Sequence, residues 1–258
     1  MTFNYLIFLI SKFFYMLLPL GKTRIFNILI RLSIKNWKYS YYKVKIINQN
    51  FKDITYRLCL GGGYGDFYSL YLKRISKKFI FLDFGSNLGI YSLIANKNPN
   101  CNFILAFDPL PEIKKKIIKN FRLNRVKGIF YNVGIFNKNI KQKLYISKNH
   151  SGASSVIKSK KMHDHIDVVL KNHLFLKKII SKYKNNNYVI KIDVEGAEHA
   201  IINELEKSNI LKNVHSIFIE IRSPNLSFKK RNIKAQLNKN NFFLKRYIKP
   251  HDYLFEKL

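Results

Sequence analysis

Five short stretches constrain the architecture: "KFIFLDFG" (78–85), "NFILAFD" (102–108), "GIFYNVG" (128–134), "NYVIKID" (187–193) and "HSIFIEI" (215–221) are almost continuously apolar and rich in β-branched or aromatic residues. A strand with one face in water alternates apolar and polar residues, whereas a strand buried on both faces reads as an unbroken apolar run. Between these stretches lie "IYSLIANKN", "PEIKKKIIKNFRLN" and "GAEHAIINELEKSN", each with helical spacing. Strand and helix alternation of this kind predicts an α/β fold: a mostly parallel sheet with right-handed crossovers and helices on both faces. The tail, "NFFLKRYIKPHDYLFEKL", has two β-like runs around Lys249-Pro250-His251-Asp252 and predicts a closing antiparallel hairpin. Residues 135–187 are the least regular part and are expected to form a loop or cover over a site.

The chain has 258 residues and is 47% hydrophobic, enough for a real core; it divides into a basic, apolar helical extension (1–50) and one large domain (51–258). Its 47 Lys and Arg against 15 Asp and Glu give a formal charge of +32. That excess points to a polyanionic neighbour such as nucleic acid, an acidic glycan or an anionic membrane, or else to a drift in composition that scatters Lys over solvated faces. Two cysteines, Cys59 and Cys101, with no CxxC and no metal spacing, support neither a disulfide framework nor a zinc site and fit a reducing cytoplasm.

The first fifty residues hold eight Lys or Arg and no acid, and open on "YLIFLISKFFYMLLPL", interrupted by Lys12 and closed by Pro19. The run is shorter than the roughly 20 apolar residues a spanning helix needs. Its positive charges follow rather than precede it and no small-residue cleavage site appears, unlike a secretory signal. The expectation is a helix lying on an anionic membrane surface, with a cap packed on the domain as the alternative. A true anchor would still leave the remainder in the cytoplasm.

"FLDFGSNLGIYSL" places Asp83 at a strand end, then Gly85, Ser86, Asn87 and Gly89 before a helix. Ligands of open α/β sheets bind beyond the carboxyl ends of the strands, so a nucleotide-like cofactor is expected at this turn. G-x-x-x-G lacks the three-glycine cradle that pyrophosphate binding uses, which favours a cofactor without phosphates over a dinucleotide. S-adenosylmethionine fits, with an amino group for Asp83 and a carboxylate for backbone N–H groups. Asp108 ends the next apolar run 25 residues later, about where an acid grips ribose hydroxyls in doubly wound folds.

These residues, together with the paired asparagines Asn120 and Asn124, "SGASS" and above all "IKIDVEGAE", resemble the FkbM-type S-adenosylmethionine-dependent methyltransferases over residues 79–222. The resemblance implies a class I methyltransferase (Rossmann-like) fold and O-methylation of sugars and other small-molecule hydroxyls. It gives Asp83, Gly85, Asn87 and Gly89 the cofactor-turn role, with Ser86 beside them, and Asp108 the ribose role. Asp108 stands where members more often carry Glu, and "VVLKNHL" where many have Leu-Asp-Asp.

In that setting Asp193 and Glu195 flank the acceptor. A hydroxyl is a poor nucleophile until its proton leaves, so Asp193 is the candidate general base and Glu195 the candidate orienting group. A divalent cation bridging acid oxygens is a further way to favour the alkoxide. Glu198 can equally serve the dipole of the helix it opens, Asp193 can serve as a helix cap, and Glu220 can face either the site or a neighbouring Lys. His150, His163 and His165 lie in the cover region without a fixed partner. The expected partner is a small-molecule or glycan hydroxyl. An RNA methyltransferase is the rival that +32 would suit, although no N-P-P-[YFW] follows the fourth strand. A non-catalytic protein binding membrane or polyanion, and an NAD-dependent oxidoreductase, are the remaining alternatives.

Overall fold

The computed structural model describes residues 3–17, 22–32, 34–157, 164–183, 186–221, 226–248 and 250–258. Pro19, His163 and Lys249, singled out from the sequence, lie outside them. The N-terminal part comprises helices α1 (Phe3–Leu17) and α2 (Lys22–Ile30), the hairpin β1 (Trp37–Tyr39) and β2 (Lys45–Ile47), and helices α3 (Ile54–Gly61) and α4 (Phe67–Arg74). The alternating unit follows as β3 (Phe79–Phe84), α5 (Ile90–Ala95), β4 (Cys101–Phe107), α6 (Pro111–Leu123) and β5 (Gly128–Tyr131). After β6 (Gly134–Ile135), β7 (Ile140–Tyr145), β8 (His165–Lys171) and α7 (His173–Ile180), it resumes as β9 (Tyr188–Ile192), α8 (Glu198–Lys207) and β10 (Val214–Glu220). Helix α9 (Leu226–Lys239) and the hairpin β11 (Phe242–Ile248) and β12 (Asp252–Lys257) complete it.

The main sheet has the order β11-β12-β10-β9-β3-β4-β5. Strands β10, β9, β3, β4 and β5 run parallel, and β12 enters antiparallel between β10 and β11. This is the doubly wound arrangement with a closing antiparallel hairpin that the apolar runs predict. Every residue of β3 and β9 is buried, the reason both stretches are unbroken apolar runs apart from one charged residue each. One core cluster lies on each face of the sheet, built around Phe81, Ile104, Ile117 and Val189 on one side and Leu82, Leu105, Ile190 and Ile202 on the other.

One feature departs from the sequence reading. The stretch 135–187 is more ordered than expected: β6, β8 and β7 form a second, three-stranded sheet, and α7 packs against α8. Phe8, Phe26, Ile30 and Ile46 share one buried cluster with Leu88 and Ile117, so the first helices pack on the domain. Asn120 and Asn124 fasten the junction. Ile47 N donates to Asn120 Oδ1 and Lys45 N to Asn124 Oδ1, both at 2.9 Å, tying β2 to α6, while Asn120 Nδ2 donates to Leu88 O of the glycine turn. The paired asparagines are therefore structural ties.

Candidate active site

Strand order reverses between β3 and β9, and a cavity opens at the carboxyl ends of these strands and β4, as expected at a topological switch point. It has about 1160 Å³ of space counting the open solvent at its mouth. Its wall includes Gly85, Ser86, Asn87, Asp108 and Ile135, and also Thr55, Tyr64, Tyr91, Asp193, Glu195 and Glu220.

A lysine organises this wall. Parallel pairing sets Lys191 of β9 directly beside Asp83 of β3, so both side chains lie on one face of the sheet. Lys191 Nζ donates to Gly85 O at 2.8 Å and ion-pairs with Asp193 Oδ2 at 3.2 Å and Asp83 Oδ1 at 3.6 Å. Its side chain is 4% exposed, that of Asp83 1% and that of Asp193 23%. Burial opposes the lysine's charge, but Asp193 and Asp83 outweigh it and hold its pKa above the usual value. Burial raises the Asp83 carboxyl, and Lys191 and the 2.6 Å bond from Ser92 Oγ offset this only in part. One cation thus serves two carboxylates, and the closer one faces the cavity.

The glycine turn is shaped by packing as much as by any ligand. A Cβ at Gly85 would overlap the Asp193 carbonyl oxygen, so only glycine lets the two strand-end loops pass, and its φ of +73° needs glycine as well. Asn87 takes φ +46°, with its N–H donating to Asp108 Oδ2 at 2.9 Å. Asp108 Oδ1 accepts from Leu110 N at 2.9 Å. Burial pushes the Asp108 carboxyl up to about 6 despite these two backbone donors. Ser86 Oγ is buried in the cavity wall with no hydrogen-bond partner among the described residues. Buried hydroxyls are normally paired, so this one leaves an unmet donor and acceptor in the wall beside the cavity. That orphan oxygen, the apolar flanks Ile135 and Phe136, and the adjacent Asp108 suit a polar, phosphate-free nucleoside cofactor such as S-adenosylmethionine.

The segment containing "SGASS" crosses the cavity and is stitched to three elements. Ser151 Oγ donates to Asp53, the N-cap of α3, at 2.9 Å, and Gly152 N donates to Thr55 Oγ1 at 2.8 Å. Asn87 Nδ2 donates to Ser151 Oγ at 3.4 Å, and Ser155 Oγ donates to Glu195 O at 2.6 Å. That last bond holds Glu195 in a left-handed conformation, φ +52°, which is costly for a residue with a Cβ. Asn87 and Glu195, two non-glycine residues with positive φ, are therefore both tied to the same cover segment.

Of the eight residues given a catalytic or cofactor role from the sequence, Gly85, Ser86, Asn87, Asp108, Asp193 and Glu195 line the cavity. Asp83 sits behind Lys191, fully buried, and Gly89 starts α5, where a Cβ would press on Ile117 and Phe121. Neither forms part of the cavity wall. Glu220 and His150 do line it, whereas His165 starts β8 away from it. Lys191 was missed, yet it left a signal: a single charged residue within the otherwise apolar "YVIKI". Among the described residues, no group of three or more His, Cys, Asp or Glu is arranged to hold a metal ion. Cys59 and Cys101 are both free.

The sheet order and the cavity at its switch point define a class I methyltransferase fold. The chain belongs to the family described as Vibrio cholerae RfbT protein, whose model matches residues 70–234. No curated protein matches it in sequence. Among solved structures it is similar to a putative tRNA (m1A22) methyltransferase of Streptococcus pneumoniae in complex with S-adenosyl-L-methionine, with 14% identity, TM-score 0.45, and 75% of this chain and 72% of that one covered. It is similar to M. capricolum TrmK in complex with S-adenosyl-homocysteine, with 13% identity, TM-score 0.40 and coverage of 74% and 68%. It is also similar to the ribosomal protein L11 methylase of Lactobacillus delbrueckii subsp. bulgaricus, with 10% identity, TM-score 0.41 and 79% of each chain covered.

Proposed function

We propose that the protein is an S-adenosylmethionine-dependent O-methyltransferase, of the FkbM type within its family, acting on a hydroxyl of a sugar, glycan precursor or related small molecule. The carrying observation is that Ser86, whose buried Oγ is unpaired among the described residues, and Asp108 line the same cavity as the Lys191-held carboxylate of Asp193. Residues carrying the FkbM-type resemblance supply both groups.

Ser86, Asn87 and Asp108 would hold the cofactor. Bound there, S-adenosylmethionine supplies a sulfonium methyl group whose transfer to an acceptor oxygen forms an O–C bond, breaks the C–S bond and leaves a neutral thioether. Asp193 would accept the acceptor's hydroxyl proton, and Lys191, by gripping Oδ2, fixes that carboxylate at the cavity wall. Glu195, pinned by Ser155, and Glu220 would receive the acceptor's neighbouring hydroxyls. The cover segment limits water, and orientation of acceptor oxygen against methyl carbon provides much of the acceleration in a displacement of this kind.

The test is incubation with methyl-labelled S-adenosylmethionine and a matched panel of free sugars, lipid-linked sugars, polysaccharide and RNA. Label is expected in a sugar-bearing fraction and should fall by on the order of 10²–10⁴-fold in Asp193→Asn, with cofactor affinity retained. Label confined to RNA would support the reading that +32 favours and overturn the sugar assignment.

A further inference from the structure

Helix α1 is apolar on two opposite faces. Its inner face carries Asn4, Ile7, Phe8, Ser11 and Tyr15, all at most 8% exposed, and is fixed to the domain: Asn4 Nδ2 donates to Trp37 O, Phe8 meets Phe26 and Tyr39, and Tyr15 stacks on Tyr41. The other face shows Phe3, Leu6, Ile10 and Phe13 at i, i+3, i+7 and i+10, between 40% and 59% exposed, with Met16 beyond them. A helix on the surface of a globular domain turns its polar face outward. Here the outward face is apolar, and Ile28, Leu32 and Ile34, on α2 and just after it, are exposed as well.

Something apolar has to cover this face, and the surrounding charge says what. Residues 1–52 contain nine Lys or Arg and no Asp or Glu. Arg24, Arg31, Lys35, Lys43 and Lys52 are exposed. A second copy would bring two acid-free basic segments, and two chains of formal charge +32, face to face. An anionic lipid surface offers hydrocarbon for the apolar face and negative headgroups for the basic side chains. The fifteen residues of α1 extend about 22 Å, short of the roughly 30 Å hydrocarbon core. No helix among the described residues is long and apolar enough to cross a membrane. We infer that α1 lies in the plane of an anionic membrane and docks the whole protein there while its inner face stays packed on the domain. Helix α2 packs on α3, whose Thr55, Leu58 and Cys59 line the cavity, so α2 and α3 link the docking helix to the site.

The experiment uses the full chain and sedimentation with phosphatidylcholine vesicles containing or lacking about a third of phosphatidylglycerol. The variant is Leu6→Ser/Ile10→Ser/Phe13→Ser, chosen on the exposed face so that the core is untouched; circular dichroism and thermal midpoint confirm folding. Wild type should bind the anionic vesicles at least tenfold more tightly than neutral ones, lose most of that binding at 0.5 M salt, and exceed the variant by at least tenfold. Equal binding by wild type and folded variant, or no preference for anionic vesicles, overturns the inference. So does a concentration-dependent dimer abolished by the triple substitution with vesicle binding unchanged. The readout requires no cofactor or acceptor, so it stands or falls separately from the methyltransferase reading.

Discussion

Replacing Lys191 with Met should unmask how this site is held together. The substitution approximately keeps the side chain's length but removes the charge that Asp83 and Asp193 share. Asp193, 23% exposed, can recover solvation, whereas Asp83, at 1%, cannot. Leaving one buried charge without its partner costs about 3–5 kcal/mol. With a urea m-value of about 2–3 kcal/mol/M the unfolding midpoint should fall by on the order of 1–2 M near pH 7. Adding Asp83→Asn removes the stranded carboxylate, so the double variant should recover at least about 2 kcal/mol of the loss.

The pH dependence has a definite sign. Lys191's folded pKa lies above its ordinary 10.5, so its stabilising contribution is fully present below 10.5 and is lost only as pH rises through the higher folded value. In Lys191→Met the Asp83 carboxyl, already raised by burial, rises further, so that variant gains stability as pH falls and Asp83 takes up a proton. The gap between wild type and variant should therefore narrow on acidification below neutrality. Urea denaturation followed by circular dichroism at several pH values measures it. A loss under about 1 kcal/mol, or a double variant no more stable than Lys191→Met, would refute the shared-cation account.

Ser86→Ala should leave the stability of the apoprotein unchanged or slightly higher, because its hydroxyl is unpaired, yet lower S-adenosylmethionine affinity by roughly tenfold in calorimetry; unchanged affinity would remove Ser86 from the cofactor site. Gly85→Ala should be destabilising through left-handed strain and overlap with the Asp193 carbonyl, about 1–3 kcal/mol each, read as a lower thermal midpoint. The Asp108 carboxyl, raised from 3.8 to about 6, contributes stability that is full below its unfolded value and lost as pH rises through 6. Asp108→Asn lacks this titration, so the stability of wild type relative to the variant should decline between pH 4 and 6, as thermal midpoints across that range will show.

The sequence by itself determined the layered architecture, because burial on both faces of a sheet demands unbroken apolar runs and each of the five lies over or next to a strand of the parallel core. It also placed the closing hairpin and most of the cavity wall, since Gly85, Ser86, Asn87, Asp108, Asp193 and Glu195 follow directly from the ends of those strands. It misread residues 135–187, where β7 carries two lysines and a glutamine in six residues and its partner β8 begins only at residue 165. The roles within the site were decided by tertiary structure. Asp83 and Lys191 are 108 residues apart, and only the register of β3 against β9 makes them neighbours on one face of the sheet; a slip of one residue would turn the lysine to the opposite face. Likewise, Asn120 reads as a motif residue, but its bond from β2 exists only once the N-terminal hairpin has folded back on α6, and its bond to the glycine turn only once α6 packs beside that turn. Periodicity reports which faces are buried, whereas which charge meets which depends on how distant segments are brought together, and that information is not local to any stretch of the chain.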